Sequence, residues 1–301
     1  LRFCRVSMRY SFTNILGKFV YDVKSKSIEK AKSSEKLEQL PKNKVNEVLS
    51  KFKDRENYTQ FYEKNLALTK KGIKASVSED MLIIQAIANV NELDKVNNIL
   101  IKRLREWFSL YLPEFENVMN NQEKFVEMVI SESKEDLMKE LKLKETMGAD
   151  LKKEDVNEML ILAKQIRELQ GLRKKHETYL EGVMKKFCPN LLELAGATIG
   201  AKLIELGRSL KRLALLPSST IQLLGAEKAL FRHIKTGSRS PKYGVIINHP
   251  LIQRSERRKK GRAARMLADK LSLCTRLDFF KGEFKAKEYR KELEKKLDVK
   301  L

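Results

Sequence analysis

The sequence predicts a mainly α-helical chain with three parts: a small N-terminal α/β domain, a long antiparallel coiled-coil hairpin and an all-α C-terminal domain. Three observations carry this. Charged residues make up 34% of the 301 positions while Gly and Pro number only 13 and 6, a composition of long solvated helices. Apolar residues recur every three to four positions over long stretches, first from Leu82 to Leu104 and again from Leu162 to Phe187. Alternating apolar and polar residues, rich in β-branched and aromatic types, are confined to the first 23 positions. A chain of this length accommodates two or three structural units.

In chain order, residues 2–10 (RFCRVSMRY) and 16–23 (LGKFVYDV) predict extended segments. The Ser- and Lys-rich stretch 24–36 reads as a loop or helix start, and Pro41 interrupts it. Val45, Val48, Leu49 and Phe52 then fall at helical spacing. Residues 1–75 are expected to form the α/β domain. Ser78 followed by Glu79 and Asp80 is a helix start, because a hydroxyl can accept from the first free N–H groups and acids suit the positive end of the helix dipole. The helix carries Leu82, Ile83, Ala86, Ile87, Val90, Leu93, Val96, Ile99, Leu100 and Leu104, and Pro113 enforces its end. Residues 76–117 are expected as connecting helices. Residues 118–187 predict a coiled-coil hairpin of two highly charged helices, 118–147 and 151–188, parted at Gly148-Ala149-Asp150. Its seam of Leu162, Ile166, Leu169, Leu180 and Phe187 is narrow and needs a partner helix, either within the chain or on a second copy. Small residues at 195–201 (AGATIGA) permit close helix packing, and residues 188–282 form the last domain. Val245–Ile247 is a short strand or turn, and 283–301 is a basic tail expected to be helical when bound and frayed when free.

The charge points to a polyanion. Net charge is +22, and residues 200–301 hold 26 Lys and Arg against 10 Asp and Glu, compared with 36 against 30 in the rest. Nucleic acid is the usual partner of such a balance. Within it, residues 254–265 (RSERRKKGRAAR) carry seven cations and one acid. Three widely separated cysteines, Cys4, Cys188 and Cys274, predict a reducing compartment and no disulfide framework. No apolar run reaches the roughly 20 residues of a membrane span. Leu1 is not an initiator Met, which leaves room for a missing N-terminus and with it a targeting segment.

No catalytic constellation is present. His176 lies on a charged helix face and His249 precedes a proline, both structural settings; His233 could instead stack on a base. Gly196 and Gly200 lack the lysine of a phosphate-binding loop, and strands do not alternate with helices as a nucleotide-binding sheet requires. No carboxylate pair stands apart from the helical salt bridges, and no Cys or His has metal-ligand spacing. We therefore expect no enzyme, no cofactor and no metal.

The stretch 222–244 (QLLGAEKALFRHIKTGSRSPKYG) organises the C-terminal third. Gly225 and Ala226 let backbone approach a partner closely. A short helix follows, with Ala229, Leu230 and Ile234 on one side and Lys228, Arg232 and Lys235 on another, stopped by Gly237. The loop beyond carries Arg239 and Lys242. Cations beside hydroxyl-rich turns suit a phosphate backbone. Glu227 caps its helix, holds Lys228, or accepts from a base amino group. Leu223, Leu224, Leu230 and Phe231 serve the core or a partner protein.

These residues, together with CPNLLELAGATIGAKL at 188–203, KKGRAARMLADKL at 259–271 and the LREW…LPEF passage at 104–115, resemble the Nop family of box C/D small ribonucleoproteins. The likeness spans about residues 78–281 and makes the final domain a Nop domain. It implies a scaffold joining box C/D guide RNA, bound at a kink-turn by a small ribosomal-type protein, to the methyltransferase fibrillarin. The N-terminal domain would dock fibrillarin, and the coiled coil would mediate self-association. Carried over, the residues reading RNA and protein are Gln222, Gly225, Ala226, Glu227, Lys228, Arg232, His233, Lys235, Arg239, Lys242, Arg254, Lys259, Lys260, Arg262 and Arg265. The short tail leans archaeal, hence cytoplasmic; a eukaryotic member would be nucleolar. A spliceosomal Nop-domain relative and a generic coiled-coil RNA chaperone are the alternative readings.

Overall fold

The structure is a computed structural model and describes residues 9–31, 37–51 and 55–299. The chain divides after Ser78 into two compact units.

The first unit holds a four-stranded sheet in the order β3-β2-β1-β4. Strands β1 (Arg9–Asn14) and β2 (Gly17–Asp22) form an antiparallel hairpin, β3 (Ser27–Lys30) adds antiparallel to β2, and the short β4 (Glu38–Gln39) lies parallel to β1. The hairpin turn is set by Asn14, whose side-chain oxygen accepts from the N–H groups of Leu16 (2.9 Å) and Gly17 (3.2 Å). Phe12 and Phe19 stack across the two strands at 5.7 Å. After a 3₁₀ turn at Lys42–Lys44 come α1 (Val45–Lys51) and α2 (Arg55–Ala75). The predicted second extended segment becomes β2. Most of the first, residues 2–8, and Phe52 lie outside the described residues.

The second unit is built on two long helices, α3 (Glu79–Phe108) and α7 (Lys153–Phe187), packed antiparallel. Ile83, Ala86, Ile87 and Val90 meet Leu180 and Met184 at one end; Ile101, Leu104 and Phe108 meet Met159, Ala163 and Ile166 at the other. Between these two cores runs a polar waist. There Arg173 donates to Asp94 and, at 2.8 Å, to Glu177, and Asn97 is buried with its side-chain oxygen unpartnered.

This corrects the predicted hairpin. The main partner of α7 is α3, read from sequence as a connector; residues 118–147 pack on α7 only in part, through Phe125, Val126 and Val129, and are not one helix. They belong to α4 (Pro113–Val118), α5 (Gln122–Ser131) and α6 (Lys134–Glu140), followed by irregular chain. Asn121 and Ser133 start new helices, accepting from the N–H groups of Lys124 and Asp136 at 3.1 and 3.3 Å. Phe115 and Phe125 fold back on Phe108, with ring centroids at 5.6 and 5.7 Å, and close the hairpin tip. The α3 stripe is also narrower than predicted, since Leu82, Val96 and Ile99 are exposed.

Eight further α-helices and one 3₁₀ turn follow: α8 (Pro189–Ala195), α9 (Ala197–Gly207), α10 (Leu210–Leu215), α11 (Ser218–Leu223), α12 (Glu227–Thr236), a 3₁₀ turn at Val245–Asn248, α13 (Pro250–Arg254), α14 (Lys260–Phe279) and α15 (Ala286–Leu297). The 3₁₀ turn resolves the choice left at 245–247. Helix α14 is central: Ala263, Ala264, Leu267, Ala268, Leu271 and Cys274 are buried where α8, α10, α11, α13 and α15 pack on it. Helix α9 lies close on α7 because Gly200 has no side chain; a methyl there would meet Met184 at 2.9 Å.

A buried polar hub ties the end of the chain down. Asp278 accepts from the backbone N–H groups of Asn190 (3.0 Å) and Leu191 (2.8 Å), and the Asn190 side-chain oxygen accepts from those of Lys285 (2.8 Å) and Ala286 (3.1 Å). Thus one carboxylate satisfies the start of α8 and one amide the start of α15, groups a helix cannot pair internally. The predicted tail is thus helical, and what is corrected is its expected fraying in the free chain, since the helix is docked on the core. Its Ala286, Tyr289, Leu293 and Leu297 form a stripe at helical spacing against the core.

Candidate nucleic-acid interface

The stretch from Gln222 to Gly244 leaves the core as a protruding helix between two glycine contacts. At the first, Gly225 has φ +87°, and a methyl on it would lie 2.4 Å from the Val245 side chain. At the second, a methyl on the buried Gly244 would lie 1.9 Å from the Leu224 carbonyl oxygen. Backbone therefore passes directly over backbone, and two hydrogen bonds lock the crossing: Gly244 N–H to Gln222 O and Val245 N–H to Leu224 O, each 2.8 Å. The Gln222 side chain adds a third, donating to Lys242 O at 2.5 Å.

Between these contacts stands α12, and none of its residues is buried. Glu227 accepts from the Gly225 N–H at 2.7 Å, so of its predicted roles the structure displays the local brace at the helix start. Gly237, at φ +65°, ends the helix in the left-handed conformation that glycine tolerates best. His233 Nδ1 is hydrogen-bonded to the Ser238 carbonyl oxygen, which draws the loop back against the helix. Lys228, Arg232 and Lys235 are exposed, as are Arg239 and Lys242 in the loop. So are two large apolar side chains, Phe231 at 63% and Ile234 at 69%. Of the four apolar residues with an open role, Leu224 is buried in the core, Leu223 and Leu230 are half-buried and Phe231 faces solvent.

The basic run lies next to this helix-loop. Arg254 ends α13, Lys259 precedes α14, and Lys260, Arg262 and Arg265 occupy the first turns of α14 while Ala263, Ala264 and Leu267 take its buried side. Lys259 is paired with Glu256 at 3.2 Å. The bridge between loop and run is Lys242, whose stem would be the nearest neighbour, at 3.6 Å, of a methyl on Gly261. Positions 242 and 261, 19 residues apart, thus meet on one cationic surface. Sequence reasoning missed Gly244 and Val245 as the clamp; the signal available was the pair of glycines bounding a cationic stretch.

The remaining titratable groups have structural roles. His249 is buried, donates from Nε2 to Leu194 O at 2.8 Å and accepts at Nδ1 from Leu251 N–H at 3.2 Å. Burial lowers its pKa. Burial likewise pushes the Cys274 thiol up to about 12, which keeps it protonated and unreactive. Among the described residues no group of three or more His, Cys, Asp or Glu is placed to hold a metal ion, and no helix is long and apolar enough to cross a membrane.

The chain is similar to known proteins. Residues 89–299 match the Nop family, described as snoRNA binding domain, fibrillarin. A NOP5 family protein of Methanocaldococcus jannaschii is 38% identical over 263 residues, 80% of this chain and 63% of that protein. Nucleolar protein 56 of Schizosaccharomyces pombe is 35% identical over 67% of this chain and 45% of its own length. Nucleolar protein 58 of the same yeast is 37% identical over 66% and 42%. The chain thus spans less than two thirds of the length of these relatives. Among solved structures, a chain of the crystal structure of a fibrillarin/Nop5p complex aligns with a TM-score of 0.48 and 26% identity, covering 96% of this chain and 98% of that one. With the Nop match taking in well over half of its residues, the chain belongs to the Nop family.

Proposed function

We propose that this chain is a non-catalytic core scaffold of a box C/D ribonucleoprotein that directs RNA 2′-O-methylation. It bridges a kink-turn RNA, with its bound small ribosomal-type protein, to fibrillarin. The observation that carries the reading is α12, a helix with no buried residue that offers cations and two large apolar side chains on one short surface. Phosphates need only the cations; Phe231 and Ile234 call for apolar protein surface beside the RNA. Membership of a family described by snoRNA binding and fibrillarin supports the same reading.

The RNA and its bound protein would meet Gln222, Gly225, Ala226, Glu227, Lys228, Arg232, His233, Lys235, Arg239 and Lys242, with Arg254, Lys259, Lys260, Arg262 and Arg265 extending the phosphate contacts. Fibrillarin would dock on residues 1–75, where α2 exposes Tyr58, Tyr62, Leu68 and Ile73. Self-association would use the exposed apolar residues of the long helices, among them Val96, Ile99, Ile161 and Leu172. The site of action follows the host: the cytoplasm in an archaeon, the nucleolus in a eukaryote, as the names of the nucleolar relatives indicate for them.

Reconstitution tests the reading. Chain, guide RNA, the small RNA-binding protein and fibrillarin together should methylate a target RNA, and the chain alone should transfer nothing. A truncation starting at residue 79, where the second unit begins, should lose fibrillarin pull-down while keeping RNA assembly. Methyl transfer by the chain without fibrillarin would overturn the scaffold role.

A further inference from the structure

Helix α15 docks through one side and leaves the opposite side a line of lysines. At 100° per residue, Ala286, Tyr289, Leu293 and Leu297 define the inward stripe; Lys291 and Lys295 fall opposite it, and Lys287 lies about 115° round from its centre. Successive lysines stand about 6 Å apart along the axis. The helix sorts its charges. Glu292 reaches Lys270 at 2.6 Å and Lys296 at 2.5 Å, while Glu294 lies 3.4 Å from Arg290, which also faces Glu193 at 3.6 Å. Two of its three acids are thereby spent on pairs beside or beneath the helix. Lys287, Lys291 and Lys295 are all exposed and take part in no ion pair among the described residues. Like charges at four-residue spacing destabilise a helix; of the three lysines only Lys295, in the last turn, is favoured by the helix dipole.

We infer that the α15 ridge is a second contact for the RNA phosphate backbone, beyond the surface around α12. This rests on the RNA-binding reading above and names a further site for the same class of ligand. Three observations select RNA over other anions. The C-terminal end of α15 borders the basic surface across a cleft of about 260 Å³, lined by Arg254, Glu256, Lys259 and Arg262 on one side and by Lys296 and Asp298 on the other, with Lys295 of the ridge next in sequence to it. Its exposed positions from 287 to 296 are Lys287, Glu288, Lys291, Lys295 and Lys296, all charged; the exposed aromatic nearest to it, Phe284, precedes the helix and lies under Lys287 Nζ, 6.0 Å from the ring centroid, at one end of the ridge rather than at its centre, where a protein interface has its apolar anchor. A membrane surface would need the apolar stripe of the helix free to insert, and here Ala286 and Leu293 are fully buried in the core. Lysine is a point charge on a flexible stem, suited to following a backbone without reading sequence.

The test compares the full chain with the variant K287Q/K291Q/K295Q, in which glutamine preserves helix propensity. The probe is a plain RNA duplex of about two turns, without a kink-turn, titrated across a salt series. Each lost phosphate contact removes about 0.9 from the magnitude of the log–log salt slope. The variant should therefore lose two to three units, and K287R/K291R/K295R should keep the wild-type slope. Combining the glutamine variant with Arg232→Gln should add a further loss of about one unit, as separate sites require. A wild-type chain that binds RNA with an unchanged slope in the glutamine variant overturns the ridge alone. A wild-type chain with no salt-sensitive RNA binding overturns the RNA-binding reading and the ridge with it. Circular dichroism of all variants must coincide with wild type, since Ala286 and Leu293 are untouched; a lost α15 signal would refute the outward placement of the lysines.

Discussion

Replacing Gly244 by alanine should unfasten α12 from the core. The added methyl would sit 1.9 Å from the Leu224 carbonyl oxygen, 2.7 Å from the Leu224 carbonyl carbon and 2.8 Å from that of Leu223, where ordinary contact begins at 3.4 Å. All three obstacles are backbone, so no side chain can swing aside, and the strands of the crossing must separate by roughly 1.5 Å. That separation breaks the two 2.8 Å hydrogen bonds of the crossing. Each is worth about 1 kcal/mol net, and more where a buried group is left unpaired. The expected loss is about 2–4 kcal/mol. Gly237→Ala is the matched control: it meets open space, and its φ of +65° is its only obstacle, a cost of about 1 kcal/mol. Urea unfolding of both variants, with unchanged slope as the condition for comparison, and gel-shift assembly on RNA carrying its bound protein make the assay. Gly244→Ala should fall well below Gly237→Ala in both. Equal midpoints and equal assembly would refute the backbone-clamp reasoning.

Other outcomes follow from single contacts. Asn97→Leu should raise the unfolding midpoint, by about 1–2 kcal/mol of stability, because it removes a buried carbonyl oxygen that has no partner; a lower midpoint would mean the waist is satisfied in a way the contacts do not show. Hydrogen bonds from Lys270 and Lys296 hold the Glu292 carboxyl down at about 2. Its contribution is thus fully present above the ordinary glutamate value of about 4.3 and lost as pH falls toward 2. Hydrogen exchange should show α15 better protected in wild type than in Glu292→Gln at pH 7, the gap closing between about pH 5 and pH 2; a constant gap would exclude the carboxylate as its source. Ile99→Glu, at a position 63% exposed on α3, should abolish self-association measured by light scattering at micromolar concentration without lowering helicity. An intact chain that is already monomeric would remove the basis for that surface.

The two long helices and the signature were legible because their signals are local. Leu82 to Leu104 and Leu162 to Phe187 show helical spacing, and Gly237 marks the end of α12. What failed was pairing. Charge runs evenly through 118–147, so the stretch reads as one helix, whereas Asn121 and Ser133 accept backbone N–H groups and restart it. The aromatic contacts of Phe108 with Phe115 and Phe125, which fold it back, involve positions up to 17 apart. The docking of α15, not its helical character, was hidden because the positions between its few apolar residues are charged, and the polar hub at Asp278 and Asn190 that seats it joins residues nearly 100 positions apart. Periodicity reports that α12 is amphipathic but not what covers it. Only the fold reveals that its Phe231 and Ile234 have no core behind them, and that Lys242 reaches the start of α14.

The central claim is that the surface around α12 reads RNA and protein together, and one titration tests it directly. Kink-turn RNA is titrated with the full chain, first naked and then carrying its small ribosomal-type protein, at a fixed physiological salt concentration. Joint reading predicts weak binding to naked RNA and a large gain once the protein is bound, with the gain lost in Phe231→Ser and Ile234→Ser while the naked-RNA affinity stays close to wild type. Equal affinity for the two RNAs would contradict it and leave a basic RNA-binding protein with no protein-reading function.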